Sequence, residues 1–129
     1  MTQPLEGLKV LDFTRVLAGP FATMILGDLG AEIIKAEPLN GDESRSWPPI
    51  LEKGESGYFL SLNRNKKSIT LNLKDPRAKD IVYKLAHKVD IVIENFTPGV
   101  VKRLGIDYAA LDQQNPELIY CSISGFGQS

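Results

Sequence analysis

The chain is poor in the side chains most often used for catalysis: its 129 residues include one histidine, one cysteine and one tryptophan. A lone Cys121 excludes an intrachain disulfide framework and fits a reducing compartment. No Cys/His cluster has the spacing of a zinc site, so no metal is expected. An excess of one charge is also lacking. Fifteen Lys and Arg against sixteen Asp and Glu leave a net charge of −1, which gives no reason to expect nucleic acid or a charged membrane as partner. No apolar run approaches about 18 residues, and the opening MTQPLEG has neither the apolar core of a secretory leader nor an Arg-rich amphipathic stretch. The expected location is cytoplasmic, or mitochondrial if an import leader is missing from this sequence. What remains is ordinary: 43% hydrophobic and 24% charged residues predict one globular domain over 1–129 with a real core.

The chain is organised around Val10 to Glu37, VLDFTRVLAGPFATMILGDLGAEIIKAE. Val10, Leu11 and Phe13 form an apolar run ending at Thr14, and Ile33-Ile34-Lys35 forms a second, as expected of strands covered by helices. Between them, Gly19 permits a sharp turn and Pro20 suits a first helical turn, where a missing N–H is harmless. Phe21, Met24, Ile25 and Leu29 then share one predicted helical face, and Gly30 stands where a left-handed cap belongs. The loop Arg15 to Gly19 is therefore expected at the carboxyl end of a strand and the amino end of a helix, where doubly wound folds bind anions and nucleotides.

Beyond this unit, Pro38 to Ser68 reads as a long irregular excursion anchored by Trp47 and Tyr58-Phe59. ITLNL, Ile69 to Leu73, alternates like a strand. Lys74-Asp75-Pro76 then opens a helix that buries Ala78, Ile81, Val82, Leu85, Ala86 and Val89. A strand over Ile91–Ile93 ends at Glu94-Asn95-Phe96. Two brief helices follow, from Thr97-Pro98 to Arg103 and from Tyr108 to Gln114, before a last strand from Leu118 to Ser124. The alternation predicts an α/β fold with a largely parallel sheet and helices on both faces.

Several groups are open to both a functional and a plain structural reading. The VLAGP loop lacks the GxGxxG of dinucleotide sites and the GxxxxGK[ST] of a P-loop, so nicotinamide or ATP chemistry is not expected. Arg64, Lys66 and Lys67, with Lys74 beyond them, suit either a polyphosphate ligand or a solvated loop. Asn95 can read a base or ribose or merely cap a turn, while Phe96 can stack on a ring or fill the core. His87 falls on the wet side of its helix, and Cys121 within an apolar strand reads as a small core residue. Asp12, Asp28, Asp42, Asp90 and Glu94 form no evident acid/base pair.

Four stretches, PLEGLKVLDFTRVLAGPFATMILGDLGAEIIKAE, NRNKKSITLNLKDP, VDIVIENFTPGVVKRLGIDY and NPELIYCSISGFGQS, resemble in order and spacing the amino-terminal part of class III CoA-transferases, the formyl-CoA transferase family. TRVLAGPFAT and GDLGAE look most like the members that move CoA between dicarboxylic acids. The resemblance implies a Rossmann-like domain within an interlocked homodimer, with coenzyme A as acyl-CoA substrate and a small carboxylic acid as acceptor. It also implies CoA contacts at Leu17 and Ala18, at Leu71, Asn72, Leu73 and Lys74 on the strand edge, at Asn95 and Phe96, and at Arg103. Pro38 stands where many relatives carry a CoA-binding arginine, leaving Arg45 or the Arg64–Lys67 cluster as candidates for that charge. Arg15, beside the expected thioester, is assigned the distal carboxylate of a dicarboxylic substrate. The family's nucleophile is an aspartate that forms a mixed anhydride and then an aspartyl-CoA thioester. It is expected downstream of Ser129, so the sequence reads as a fragment and none of its own carboxylates takes that role. Two other readings stay open: an α-methylacyl-CoA racemase fragment, and a non-catalytic CoA-binding module.

Overall fold

A computed structural model describes residues 2–128. Five parallel strands, β1 (Lys9–Asp12), β2 (Glu32–Glu37), β3 (Lys66–Thr70), β4 (Ile91–Glu94) and β5 (Ile119–Ser122), form one sheet in the order β3-β2-β1-β4-β5. The order reverses direction between β1 and β4, the switch point of a doubly wound fold. Because successive strand residues point to opposite faces, β1 feeds two cores. Leu11 and Phe13 face α3 (Pro76–Ala86), α4 (Val100–Leu104) and α5 (Tyr108–Asp112), packing with Val82, Ala86, Ile106 and Leu111. Val10 joins Ala31, Ile33 and Ile93 on the other face, beneath α1 (Ala18–Asp28). Helices thus cover both faces, as the alternation predicts. No helix among the described residues is long and apolar enough to cross a membrane.

Local signals account for most boundaries. Asp75 caps α3 by accepting the Arg77 N–H, with Pro76 in the first turn. Gly105, at φ 70°, ends α4 in the left-handed region. Three details differ from expectation. In α1 the buried residues are Gly19, Pro20, Thr23, Met24 and Gly27, while Phe21, Ile25 and Leu29 remain 48%, 42% and 39% exposed. The small-residue side faces the protein because it lets the helix approach closely. Ile81 is likewise exposed on α3. The excursion is not structureless: it contains a 3-10 turn, Glu43–Ser46, and a helix α2, Gly57–Leu62, capped by Ser56. Trp47 and Tyr58 pack in a tilted pair with ring centroids 5.3 Å apart and Phe59 is buried, as anchors should be.

The third strand also starts and stops earlier than ITLNL suggests. Lys66 to Thr70 pair with Ile33 to Glu37, so Leu71 to Lys74 form the loop at its carboxyl end. Alternation missed this because Lys66, a charged residue, points inward. Cys121 is exposed, not in the core, since β5 lies at the sheet margin with only β4 beside it.

Candidate functional site

The carboxyl ends of β1 to β4 surround a cleft of about 320 Å³. Its walls are mainly apolar, formed by Phe13, Ala36, Leu39, Leu71, Leu73, Phe96, Val100 and Leu104. Asn72, Lys74 and Arg15 complete the lining, with Glu37, Pro38 and Thr97. Among the described residues Arg15 and Lys74 form no salt bridge, so two unneutralised cations stand beside an apolar slot. The Arg15 guanidinium lies 5.8 Å from the centre of the Phe96 ring, within cation–π range. Such a cleft can take a flat ring between apolar walls while its rim meets negative charge. A second, shallower hollow lies across Phe96, lined by Ala18, Asn95, Thr97, Pro98, Ile123, Ser124 and Gly125.

Between these hollows, the loop leaving β1 is gripped from both neighbouring strands. From the β4 side, Asn95 Oδ1 accepts the Arg15 N–H at 2.9 Å and Asn95 Nδ2 donates to the Arg15 carbonyl at 2.9 Å. From the β2 side, Lys35 Nζ donates to the Thr14 carbonyl at 2.7 Å and pairs with Asp42 at 3.0 Å. Asp42 also accepts the Val16 N–H over a longer 3.4 Å. Val16 sits at φ 71°, the left-handed region that β-branched residues avoid.

Buried charge continues along the end of β2. Glu37 Oε1 accepts from Arg45 Nη2 and Ser68 Oγ, and Oε2 accepts from Arg45 Nε and the Asp42 N–H. Burial by itself pushes this carboxyl up, but those four donors outweigh it and hold it at about 2. Arg45 in turn lies 3.9 Å over the Phe59 ring. Glu37 occupies the strand end where dinucleotide folds hold a ribose, yet its oxygens are engaged inside the protein.

The basic cluster is likewise committed. The Lys66 side chain, 2% exposed, bonds Asp12 at 3.4 Å and the Pro20 carbonyl and Asn63 Oδ1 at 2.9 Å each. Burial lowers its ammonium to about 8, against the pull of Asp12. Arg64 pairs with Asp28 and Lys67 with Glu32, both on the surface. With Arg45 held by Glu37, each cation offered as a substitute at Pro38 already has a carboxylate partner.

Of the site residues expected from sequence, Arg15, Leu71, Asn72, Leu73, Lys74 and Phe96 converge on the apolar-walled cleft. Ala18 and Asn95 line the second hollow, while Leu17, the residue preceding α1, and Arg103 line neither. Arg103 lies on α4, its guanidinium close to Gly99. Sequence reasoning missed Phe13, Ala36, Leu39, Val100 and Leu104; for the first three the available signal was their position just inside or beyond the ends of β1 and β2, while Val100 and Leu104 are brought in by α4. His87 is on the surface, as its helical position predicts.

Residues 5–129 match CoA-transferase family III. The chain belongs to this family. It is 57% identical over 128 residues to succinyl-CoA:glutarate CoA-transferase of Mus musculus, covering 98% of this chain and 29% of that protein. It is 50% identical over 127 residues to acetyl-CoA:oxalate CoA-transferase of Acetobacter aceti, covering 98% of this chain and 32% of that one. The solved structure of a CAIB/BAIF family protein from Brucella suis superposes with a TM-score of 0.93 at 43% identity, covering all of this chain and 35% of that one. The chain thus spans about a third of the length of these family III relatives.

Proposed function

We propose that this chain is the CoA-binding part of an acyl-CoA:carboxylate CoA-transferase that exchanges CoA between dicarboxylic acids. The observation that carries the reading is the cleft itself: apolar walls from Leu71, Leu73, Phe96 and Leu104 suited to an adenine ring, with Lys74 and Arg15, which form no salt bridge among the described residues, at its rim for anionic groups. Arg15 is the residue to which the distal carboxylate of a dicarboxylic substrate is assigned, because a guanidinium can hold it through two parallel hydrogen bonds. Leu17, Ala18 and Arg103 are further CoA contacts in this reading, and Asn95 is one through its backbone, because both ends of its carboxamide are taken by Arg15.

The chemistry is acyl transfer through an aspartyl intermediate on a part of the protein beyond residue 129. A carboxylate there attacks the thioester carbonyl and releases CoA thiolate. The thiolate then attacks the enzyme-linked carbonyl of the mixed anhydride and frees the donor acid, after which the acceptor carboxylate takes over the CoA through a second anhydride. Residues of this chain bind and orient the CoA thioester. The complete protein acts as a homodimer in this reading, in the cytoplasm or in mitochondria. The test is to incubate the complete protein with succinyl-CoA and glutarate and to follow glutaryl-CoA. Formation of glutaryl-CoA with matching loss of succinyl-CoA is expected. CoA binding without any exchange among dicarboxylates would leave a binding module, and α-proton exchange of a branched acyl-CoA would point to a racemase.

A further inference from the structure

The Asn95 carboxamide bonds Arg15 from both sides of its backbone, and the next residue holds a conformation that Val adopts only under constraint. We propose that Asn95 is a positioning residue of the transfer reaction: by clamping Arg15 it keeps the Val16 turn in its left-handed form and so sets the guanidinium over Phe96 at the cleft mouth. This deepens the reading given above and rests on it.

Three features point the same way. A left-handed β-branched residue relaxes unless its surroundings over-determine it, and strain of this kind is concentrated at functional sites. Here the determinants are Asn95 on one flank and the Lys35–Asp42 pair on the other, the latter holding the Thr14 carbonyl and the Val16 N–H. Asn95 is itself fixed by its neighbours, since buried Glu94 accepts the Phe96 N–H at 2.8 Å and a Ser122 hydroxyl. Finally, the bonds go to the backbone of Arg15 and leave its side chain directed at the Phe96 ring, so the clamp orients the group without occupying it.

If Asn95 works through the turn, a residue indifferent to the sign of φ at position 16 should lessen the need for it. The experiment compares Asn95→Ala, Val16→Gly and the double variant in the complete protein, with succinyl-CoA as donor and glutarate as acceptor. Asn95→Ala is expected to lower kcat/KM for the acceptor acid by about 10- to 100-fold, the scale of a small misplacement. KM for the thioester should stay within about threefold, because the cleft walls are untouched. Adding Val16→Gly should recover about tenfold of the loss, and Asn95→Asp, which keeps the acceptor for the Arg15 N–H, should fall between Asn95→Ala and wild type. A double variant no better than Asn95→Ala, or a loss carried by the thioester KM, overturns the proposal. An inactive wild-type protein would instead count against the transfer reading. Amide hydrogen exchange over residues 15–18 then decides the clamp separately: faster exchange in Asn95→Ala supports it and unchanged protection overturns it.

Discussion

Lys66 illustrates how much a charged residue depends on what stands opposite it. Counted along the chain, it belongs with Arg64 and Lys67 in a basic patch; in space its three ammonium protons meet Asp12, the Pro20 carbonyl and Asn63. Asp12 is itself fully buried, bonded at 2.5 Å to the hydroxyls of Thr14 and Thr23. Removing one member of a buried pair leaves the other uncompensated, an effect of about 3–5 kcal/mol. Lys66→Met is therefore expected to lower the urea midpoint of the protein markedly, while molecules that remain folded bind CoA as before. Weaker CoA binding at unchanged stability would return Lys66 to the ligand site. Such pairing is invisible in sequence because Asp12 and Lys66 are far apart along the chain. The residues legible beforehand were those fixed by local geometry, such as Asp75 at its cap and Gly105 at its φ of 70°.

At the scale of elements, α1 carries the most instructive difference between pattern and packing. Its larger apolar residues predict one buried face, but the sheet takes the side bearing Gly19, Thr23 and Gly27. A helix entering directly from β1 must pass close to the end of its own strand, and only a residue without a side chain fits there. A Cβ added at Gly19 would lie 2.2 Å from Thr14 Cβ and 2.3 Å from Cγ2. Thr14 has no freedom to yield, being buried and bonded through its hydroxyl to Asp12. Gly19→Ala is thus expected to destabilise the protein by about 3 kcal/mol, the upper range of overpacking, read as a lowered urea midpoint. Gly125→Ala, which meets no atom within 4 Å, serves as the control and should leave the midpoint in place. Apart from α2 and the 3-10 turn within the excursion, the existence and order of the strands and helices followed from periodicity. The side that α1 presents did not, because close approach favours small residues over hydrophobic ones, whereas α3 buries Ala78, Val82 and Ala86 as its spacing predicts.

For the molecule as a whole, the buried charges along β2 and β3 set how stability responds to pH. Glu37 titrates at about 2 in the fold against an ordinary 4.5, because its hydrogen bonds outweigh its burial. Protons therefore bind the unfolded chain more readily between those values. The stabilisation is complete above pH 4.5 and is lost as pH falls toward 2, and the difference corresponds to about 3 kcal/mol. Lys66 acts in the opposite region and with the opposite sense. Burial lowers it from 10.5 to about 8, so the fold bears a penalty below pH 8 that is relieved as pH rises toward 10.5. The alkaline gain coincides with titration of other groups, whereas the acid limb can be isolated by substitution. Glu37→Gln should unfold at lower urea than wild type at pH 7, since Arg45 loses its charged partner. It should also lose less stability between pH 4.5 and 2, so the two midpoints converge as pH falls. A constant gap between them across that range would mean that the Glu37–Arg45 pair does not govern the acid response.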